Sequence, residues 1–277
     1  MTRLDRNARI LAVSFAAMAG MVDAIGFLAS GGFFLSFMSG NSTRFSVGVV
    51  EGAPYVGMVS LLLLSFVGGV VAGSLIGRKN MLSPSRRQAY ILIIISILLF
   101  AAPVIASFEF LLFGLCLAAF CMGLENTLFE REGSVSFGLT YMTGALVKIG
   151  QGLATLMSGG ARFAWVPYLL LWIGLVSGAA IGALLFGFFG LDSLWLPASY
   201  AGVFALLLVH GLWLRFDSGA WTSPALPDPT GWLSALLVAN LALLAVRAFQ
   251  RALCTGLLYG PAQAVLSLPR MVWGSLI

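Results

Sequence analysis

Charge is what this sequence has least of. Only 9% of its 277 residues are Asp, Glu, Lys or Arg, against roughly 25% in ordinary soluble domains. Histidine is nearly absent, His210 being the single example, and the three cysteines (Cys116, Cys121, Cys254) stand singly in apolar stretches. Without paired Cys or His spacings there is neither a zinc framework nor a disulfide framework, and no metal or cofactor is expected. No glycine-rich phosphate loop occurs, which argues against direct coupling to ATP by this chain. No nucleophile–base arrangement appears either, so an enzyme is not expected. The basic residues form no stripe with interleaved aromatics, and the formal net charge of +5 therefore does not point to nucleic acid.

What the chain has instead is apolar length. Hydrophobic residues make up 60% of it, and glycine alone contributes 33. A soluble core of this size could not hide so much apolar surface, whereas a bilayer is itself apolar solvent. Small residues also let membrane helices approach closely. Runs long enough to span, which takes about 20 residues, occur at 10–30, 55–77, 88–107, 109–128, 165–189 and 194–214. Segments 33–50 and 136–158 have the length but carry polar clusters in the middle. A polar stretch from Asp217 to Thr230, with Pro224, Pro227 and Pro229, reads as a linker over 215–230, followed by C-terminal membrane helices over 231–277. The first run follows a basic N-terminus but contains Asp23 and precedes no small-residue cleavage site. It is expected to be a membrane helix and not a cleaved signal. The expected fold is all-α, a polytopic transmembrane helix bundle.

The chain also repeats itself. Phe37-Met38-Ser39-Gly40, with Arg44 four residues on, is echoed 104 residues later by Tyr141-Met142-Thr143-Gly144, with Lys148 four residues on. An acidic group lies upstream each time, Asp23 in one case and Glu125 beside Asn126 in the other. This predicts a duplicated domain over 1–214, with repeats at about 8–107 and 109–214. The basic residues Arg3, Arg6, Arg9 and Arg78, Lys79, Arg86, Arg87 all favour the cytoplasm under the positive-inside rule. Three apolar segments separate the two groups, although an even number of crossings is needed. Either 33–50 is broken or re-entrant, which makes the two repeats inverted, or the motif segments span fully and one basic group lies outside.

Asp23 is the sharpest single feature, because a carboxylate in mid-helix is costly in hydrocarbon and should face the bundle interior with a partner. Arg44 is the expected partner, and Glu125 with Lys148 would be the matching pair. Ser39, Gly40, Asn41, Ser42 and Thr43 combine a flexible backbone with capping side chains. A helix starting there would aim N–H groups and its positive end inward, a site for an anion or carboxylate. In the bland alternative these residues only pack helices or fix their register. His210, Glu109, Glu130, Arg131, Glu132, Arg162 and Asp192 fall at expected helix ends, where charge is cheap. Trp165, Trp172, Trp195, Trp213 and Trp232 lie mostly near segment ends, as interfacial belts do.

The stretch Ala19-Gly20-Met21-Val22-Asp23-Ala24, then Gly31-Gly32-Phe33 and Phe37-Met38-Ser39-Gly40-Asn41-Ser42-Thr43-Arg44, resembles the DUF1275 (UPF0700, YoaK-like) family of bacterial membrane proteins. Tyr141-Met142-Thr143-Gly144 and Gly190-Leu191-Asp192 are similar to the same family, and the resemblance covers about 8–212. It implies a multi-pass protein of the bacterial inner membrane. The tail departs from it: Tyr259-Gly260 and Ser267-Leu268-Pro269-Arg270-Met271-Val272 are similar to membrane tails of processive bacterial glycosyltransferases.

The leading expectation is a small-solute or ion-coupled transporter with its N-terminus in the cytoplasm. Asp23, Ser39, Gly40, Asn41, Thr43 and Arg44 would face Glu125, Asn126, Thr143, Gly144 and Lys148 across a midplane site. Its expected partners are the lipid bilayer, a small-molecule or ion substrate and a second copy in a homo-oligomer. The alternative is a structural or accessory membrane protein, and an enzyme remains only if the tail brings a catalytic partner.

Overall fold

A computed structural model describes residues 6–78, 84–108, 110–128, 130–131, 134–135 and 142–218. The expected C-terminal helices, and most of the expected linker, lie outside the described residues. Eight α-helices are described: α1 (Arg6–Ser30), α2 (Met38–Glu51), α3 (Val56–Arg78), α4 (Pro84–Ser107), α5 (Leu111–Asn126), α6 (Met142–Met157), α7 (Val166–Phe189) and α8 (Trp195–Ser218). Within the described residues, each of the six apolar runs between 10 and 214 has become one of them. α8 continues to Ser218, a few residues into the stretch expected to be linker. Between α5 and α6, Glu130–Arg131 (β1) pairs antiparallel with Ser134–Val135 (β2), a two-residue ladder that leaves the all-α class unchanged.

Glycines in left-handed conformations break the chain where helices stop. Gly31 (φ 74°) and Gly32 (φ 116°) end α1, and Gly52 (φ 65°) ends α2. Only glycine takes such angles without a steric penalty from Cβ. Pro167 stands in the first turn of α7, where its missing N–H costs nothing.

α3 explains why this bundle needs hydrocarbon around it. One face buries Val59 and Leu62, while Leu61, Leu64, Val67, Val71 and Leu75 are each about half exposed or more. Leu170, Ile173, Ile181, Leu184 and Phe188 form a similar outward set on α7. Water would not tolerate apolar faces of this extent, but lipid does. Arg9–Ser30, Val56–Ile76, Arg86–Ser107 and Val166–His210 are long and apolar enough to cross a membrane, the last containing α7 and α8 as far as His210. Leu111–Asn126 is apolar but shorter.

Since lipid gives helices no hydrophobic reason to associate, close backbone packing must hold them together. The glycines supply it. On α7, Gly174 lies against Val13, Gly178 against Ala17 and Gly182 against Met21, so α7 runs parallel to α1. Gly20 returns the contact against Leu175 and Ala179. On α3, Gly69 meets Phe120 and Gly73 meets Thr127, while Gly123 of α5 meets Phe66 and Gly69. Thus α3 runs parallel to α5. By contrast α4 and α5 form an antiparallel hairpin, in which Gly114 abuts Ala102 and the Arg87 guanidinium donates to the Thr127 carbonyl at 2.7 Å. α8 lies antiparallel to α4, with the Ser96 hydroxyl donating to the Ala198 carbonyl at 2.9 Å.

These pairings sort the helix ends onto two faces. The N-terminal face holds the starts of α1, α4 and α7 and the ends of α3, α5 and α8. The distal face holds the opposite ends.

Candidate functional site

The sequence-derived residues fall into two clusters and an outer surface. Asp23 sits on α1 seven residues before the helix ends, about 10 Å down its axis. There its Oδ1 accepts the backbone N–H of Leu35 and of Ser36, each at 2.7 Å. The chain after Gly32 therefore dips back along α1 before α2 begins. Asn41, fully buried, clamps the same loop from the other side. Its Oδ1 accepts the Phe34 N–H at 3.0 Å and its Nδ2 donates to the Phe34 carbonyl at 2.7 Å. α2 then climbs toward the distal face, where the Phe33 and Tyr55 rings meet at a tilt, 5.3 Å between centroids.

This arrangement corrects two expectations. Asp23 does not pair with Arg44, whose guanidinium instead lies over the Phe33 ring at 5.0 Å. The carboxylate finds backbone donors closer to hand, and two charge-assisted bonds satisfy it without a cation. Nor is the α2 start left open for an anion as expected: the Met38 N–H donates to the Ser36 carbonyl, and the Gly40 and Asn41 N–H groups both reach the Phe37 carbonyl. The carboxylate at this turn is the chain's own.

Glu125 forms the second cluster. It is fully buried near the end of α5, and neither carboxylate oxygen has a hydrogen-bond partner. The expected Lys148 is exposed on α6 and donates to Gln151 Oε1 at 3.1 Å. Around Glu125 stand Cys121, one turn back on α5, and Tyr200 from α8, both within electrostatic reach. The buried Tyr200 hydroxyl has no partner of good geometry. Ser14 of α1 lies close to it, its own hydroxyl donating to the Leu11 carbonyl at 2.9 Å. The Cys121 thiol donates weakly to the Ile95 carbonyl at 3.9 Å. Asn126, beside Glu125, turns back to the Met122 carbonyl at 2.9 Å.

The single facing site expected from the sequence is therefore not assembled. Ser14, beside the Glu125 cluster, precedes Asp23 by nine residues, about 13 Å along α1. Ser39, Thr43, Arg44, Thr143 and Lys148 are exposed on the outside of the bundle, and Gly40 and Gly144 are half-buried. The exposed hydroxyls of Ser42, Thr43 and Ser46 donate within α2 to the carbonyl four residues back, which suits a lipid-facing helix. Trp195 departs from the interfacial expectation, being 5% exposed with its indole N–H unpartnered. Sequence reasoning missed Ser14, Cys121 and Tyr200, which nothing in their apolar surroundings marks. Ser36 was visible only as one polar residue in the cluster that Asp23 organises. Among the described residues no group of His, Cys, Asp and Glu is placed to hold a metal ion.

Long apolar helices with outward hydrophobic faces and glycine-mediated crossings define a multi-pass integral membrane protein. Residues 11–208 match the family described as "Protein of unknown function (DUF1275)", and the chain belongs to that family. It is also 38% identical over 192 residues to a UPF0700 transmembrane protein of Rhizobium meliloti (strain 1021), an alignment spanning 69% of this chain and 80% of the relative. No solved structure matches it.

Proposed function

We propose that the chain is a proton-coupled small-solute transporter of the bacterial inner membrane, built from two inverted repeats and coupled at Glu125. The observation that carries this reading is the helix pairing. Exchanging the halves maps α1 onto α5 and α3 onto α7, so the parallel pair α1–α7 becomes the parallel pair α5–α3. α1 and α5 then start on opposite faces, as inverted repeats require. The glycines agree: Gly69, Gly73 and Gly77 on α3 have the same four-residue spacing as Gly174, Gly178 and Gly182 on α7. Inverted repeats of this kind, with interrupted helices, are a recurrent transporter design.

With α2 beginning inside the bundle and returning to the distal face, two crossings separate the basic N-terminus from the Arg78–Arg87 connection. Arg9, Arg78, Arg86, Arg87 and Arg162 then all belong to the N-terminal face, whereas Glu51 and Asp192 belong to the distal one. The positive-inside rule places the N-terminal face in the cytoplasm.

Within this frame the two carboxylates divide their roles. Asp23 holds the α1–α2 turn, which is a structural task. Neither carboxylate oxygen of Glu125 accepts a hydrogen bond, and an intramembrane carboxylate without a partner is costly unless it carries a proton. The accessory reading draws on the satisfied Asp23 and accounts for nothing at Glu125. The test is purified protein in liposomes, screened for solute-driven proton flux. The wild type is expected to move protons with its solute, and Glu125→Gln to lose proton movement while inserting normally. Wild-type flux in Glu125→Gln would remove the coupling role.

A further inference from the structure

Glu125 and Tyr200 stand on two helices that α4 holds at a common level. Ile95 of α4 accepts the Cys121 thiol of α5 at 3.9 Å, and the next residue, Ser96, donates to the Ala198 carbonyl of α8 at 2.9 Å. Tyr200 follows Ala198 by two residues, about 3 Å toward the N-terminal face, and Glu125 follows Cys121 by one turn, about 6 Å the same way. Side chains lean toward the start of their own helix, so the Glu125 carboxylate comes back toward the level of Tyr200, which is within its electrostatic reach. The Tyr200 ring is held by Phe204 at 4.7 Å and by Phe15, edge-on, at 5.8 Å. Each buried group has what the other lacks: neither Glu125 oxygen accepts a hydrogen bond, and the Tyr200 O–H donates none. The other polar groups nearby are engaged. Ser14 of α1 donates to the Leu11 carbonyl, Cys121 to that of Ile95, Asn126 to that of Met122, and Arg87 of α4 to that of Thr127. α3 meets this stretch of α5 with Phe66, Gly69 and Val70, none of them titratable.

Packing alone does not require a carboxylate at this place. Gly20 of α1 lies against Leu175 and Ala179 of α7 as Gly123 of α5 lies against Phe66 and Val70 of α3. Two residues after these glycines stand Val22 and Glu125, and two before them Met18 and Cys121. The first repeat thus fills both positions with buried apolar side chains.

We infer that Tyr200 is the positioning residue of the proton site: when Glu125 gives up its proton, the Tyr200 O–H becomes the hydrogen-bond donor that holds the carboxylate. The inference rests on the reading of Glu125 as the proton-binding group and adds the residue that sets its proton affinity. The proton passes to a water molecule, which leaves as hydronium, and the phenol keeps its own. The protonated acid is neutral and does without the Tyr200 donor, whereas the ion left behind needs one.

The test is an infrared titration of the full-length protein in lipid nanodiscs, with the carboxylic-acid band of Glu125 identified by its loss in Glu125→Gln. Tyr200→Phe keeps the ring and removes only the donor. Losing a hydrogen bond to a charged group favours the protonated acid, so the pH at which half the band is gone should rise by about one to two units. In the wild type, a tyrosine C–O band absent from Tyr200→Phe should shift over the same pH range as the acid band, and it should stay constant in Glu125→Gln. Fluorotyrosine in place of Tyr200, a stronger donor of nearly the same size, should move the half-point the other way. Should Tyr200→Phe fail to fold, the fluorotyrosine form decides by itself. A half-point that neither change moves, or a Tyr200 band that does not follow Glu125, overturns the inference and leaves the proton-binding reading in place. Absence of the acid band from the wild type means that Glu125 is ionised and overturns both. A titration that follows Tyr200 without solute-driven flux upholds the inference and retires the transport reading alone.

Discussion

A carboxylate inside a helical bundle needs either donors or a proton, and Asp23 and Glu125 meet that need in different ways. Asp23 accepts two backbone N–H bonds at 2.7 Å from Leu35 and Ser36. Asp23→Ala would orphan both amides, and hydrogen bonds to charged groups are worth about 1.5–3 kcal/mol each. A loss of about 3 kcal/mol in detergent unfolding is expected, with Asp23→Asn losing less because one acceptor oxygen remains. An unchanged Asp23→Ala would show that the loop is held by Asn41 alone. Glu125 should respond in the opposite sense. Its oxygens have no partners, so Glu125→Leu removes a buried polar group at little cost in shape, and stability should rise by about 1 kcal/mol while coupling is lost. At this scale the sequence showed which carboxylates lie deep in the bundle but misassigned what they touch. It paired Asp23 with Arg44 because bases are visible in a sequence, whereas two backbone amides in a loop are not.

At the scale of helices, lipid removes the hydrophobic term and leaves contact distance to decide which elements pair. A Cβ added at Gly178 would collide with the Ala17 carbonyl oxygen, and one at Gly123 with that of Phe66. These are backbone atoms that cannot swing away. Gly178→Ala and Gly123→Ala should therefore each cost about 3 kcal/mol, the upper range for overpacking, read as a lowered midpoint in thermal unfolding. Gly187→Ala and Gly150→Ala meet nothing within 4 Å and should be neutral or slightly stabilising through better helix propensity. Equal behaviour of the two pairs would mean that the crossings are looser than the geometry shows. The spans themselves were legible, because length and apolarity fix them whatever they pack against. The partners of each span were not, although a signal was present. The four-residue glycine spacing on α3 and α7 marks the faces that pair, and it becomes readable once the crossings are known.

At the scale of the molecule, pairing and topology are one question. α1 parallel to α7 and α3 parallel to α5 put the ends of α2 and α4 on one face, and the connection from α6 to α7 on the other. The Met-Ser/Thr-Gly repeat in the sequence hinted at two units, and basic residues on both sides of three apolar segments left their orientation undecided. The loop that Asp23 draws back along α1 supports the re-entrant answer, since it lets α2 return to the face that α1 reached. That answer makes a sided expectation that composition alone could not. Single cysteines at Glu51 and Phe108, both exposed, should be modified by an impermeant reagent from the distal face only. Those at Ser158 and Phe163, also exposed, should react from the N-terminal face only. If Glu51→Cys and Ser158→Cys react from the same side, α2 or α6 crosses the membrane as a full span and the inverted-repeat reading fails. If all four divide as expected, the positive-inside assignment has one further consequence. In intact cells, Glu51→Cys and Phe108→Cys should label from the periplasm, and Ser158→Cys and Phe163→Cys only after the inner membrane is opened.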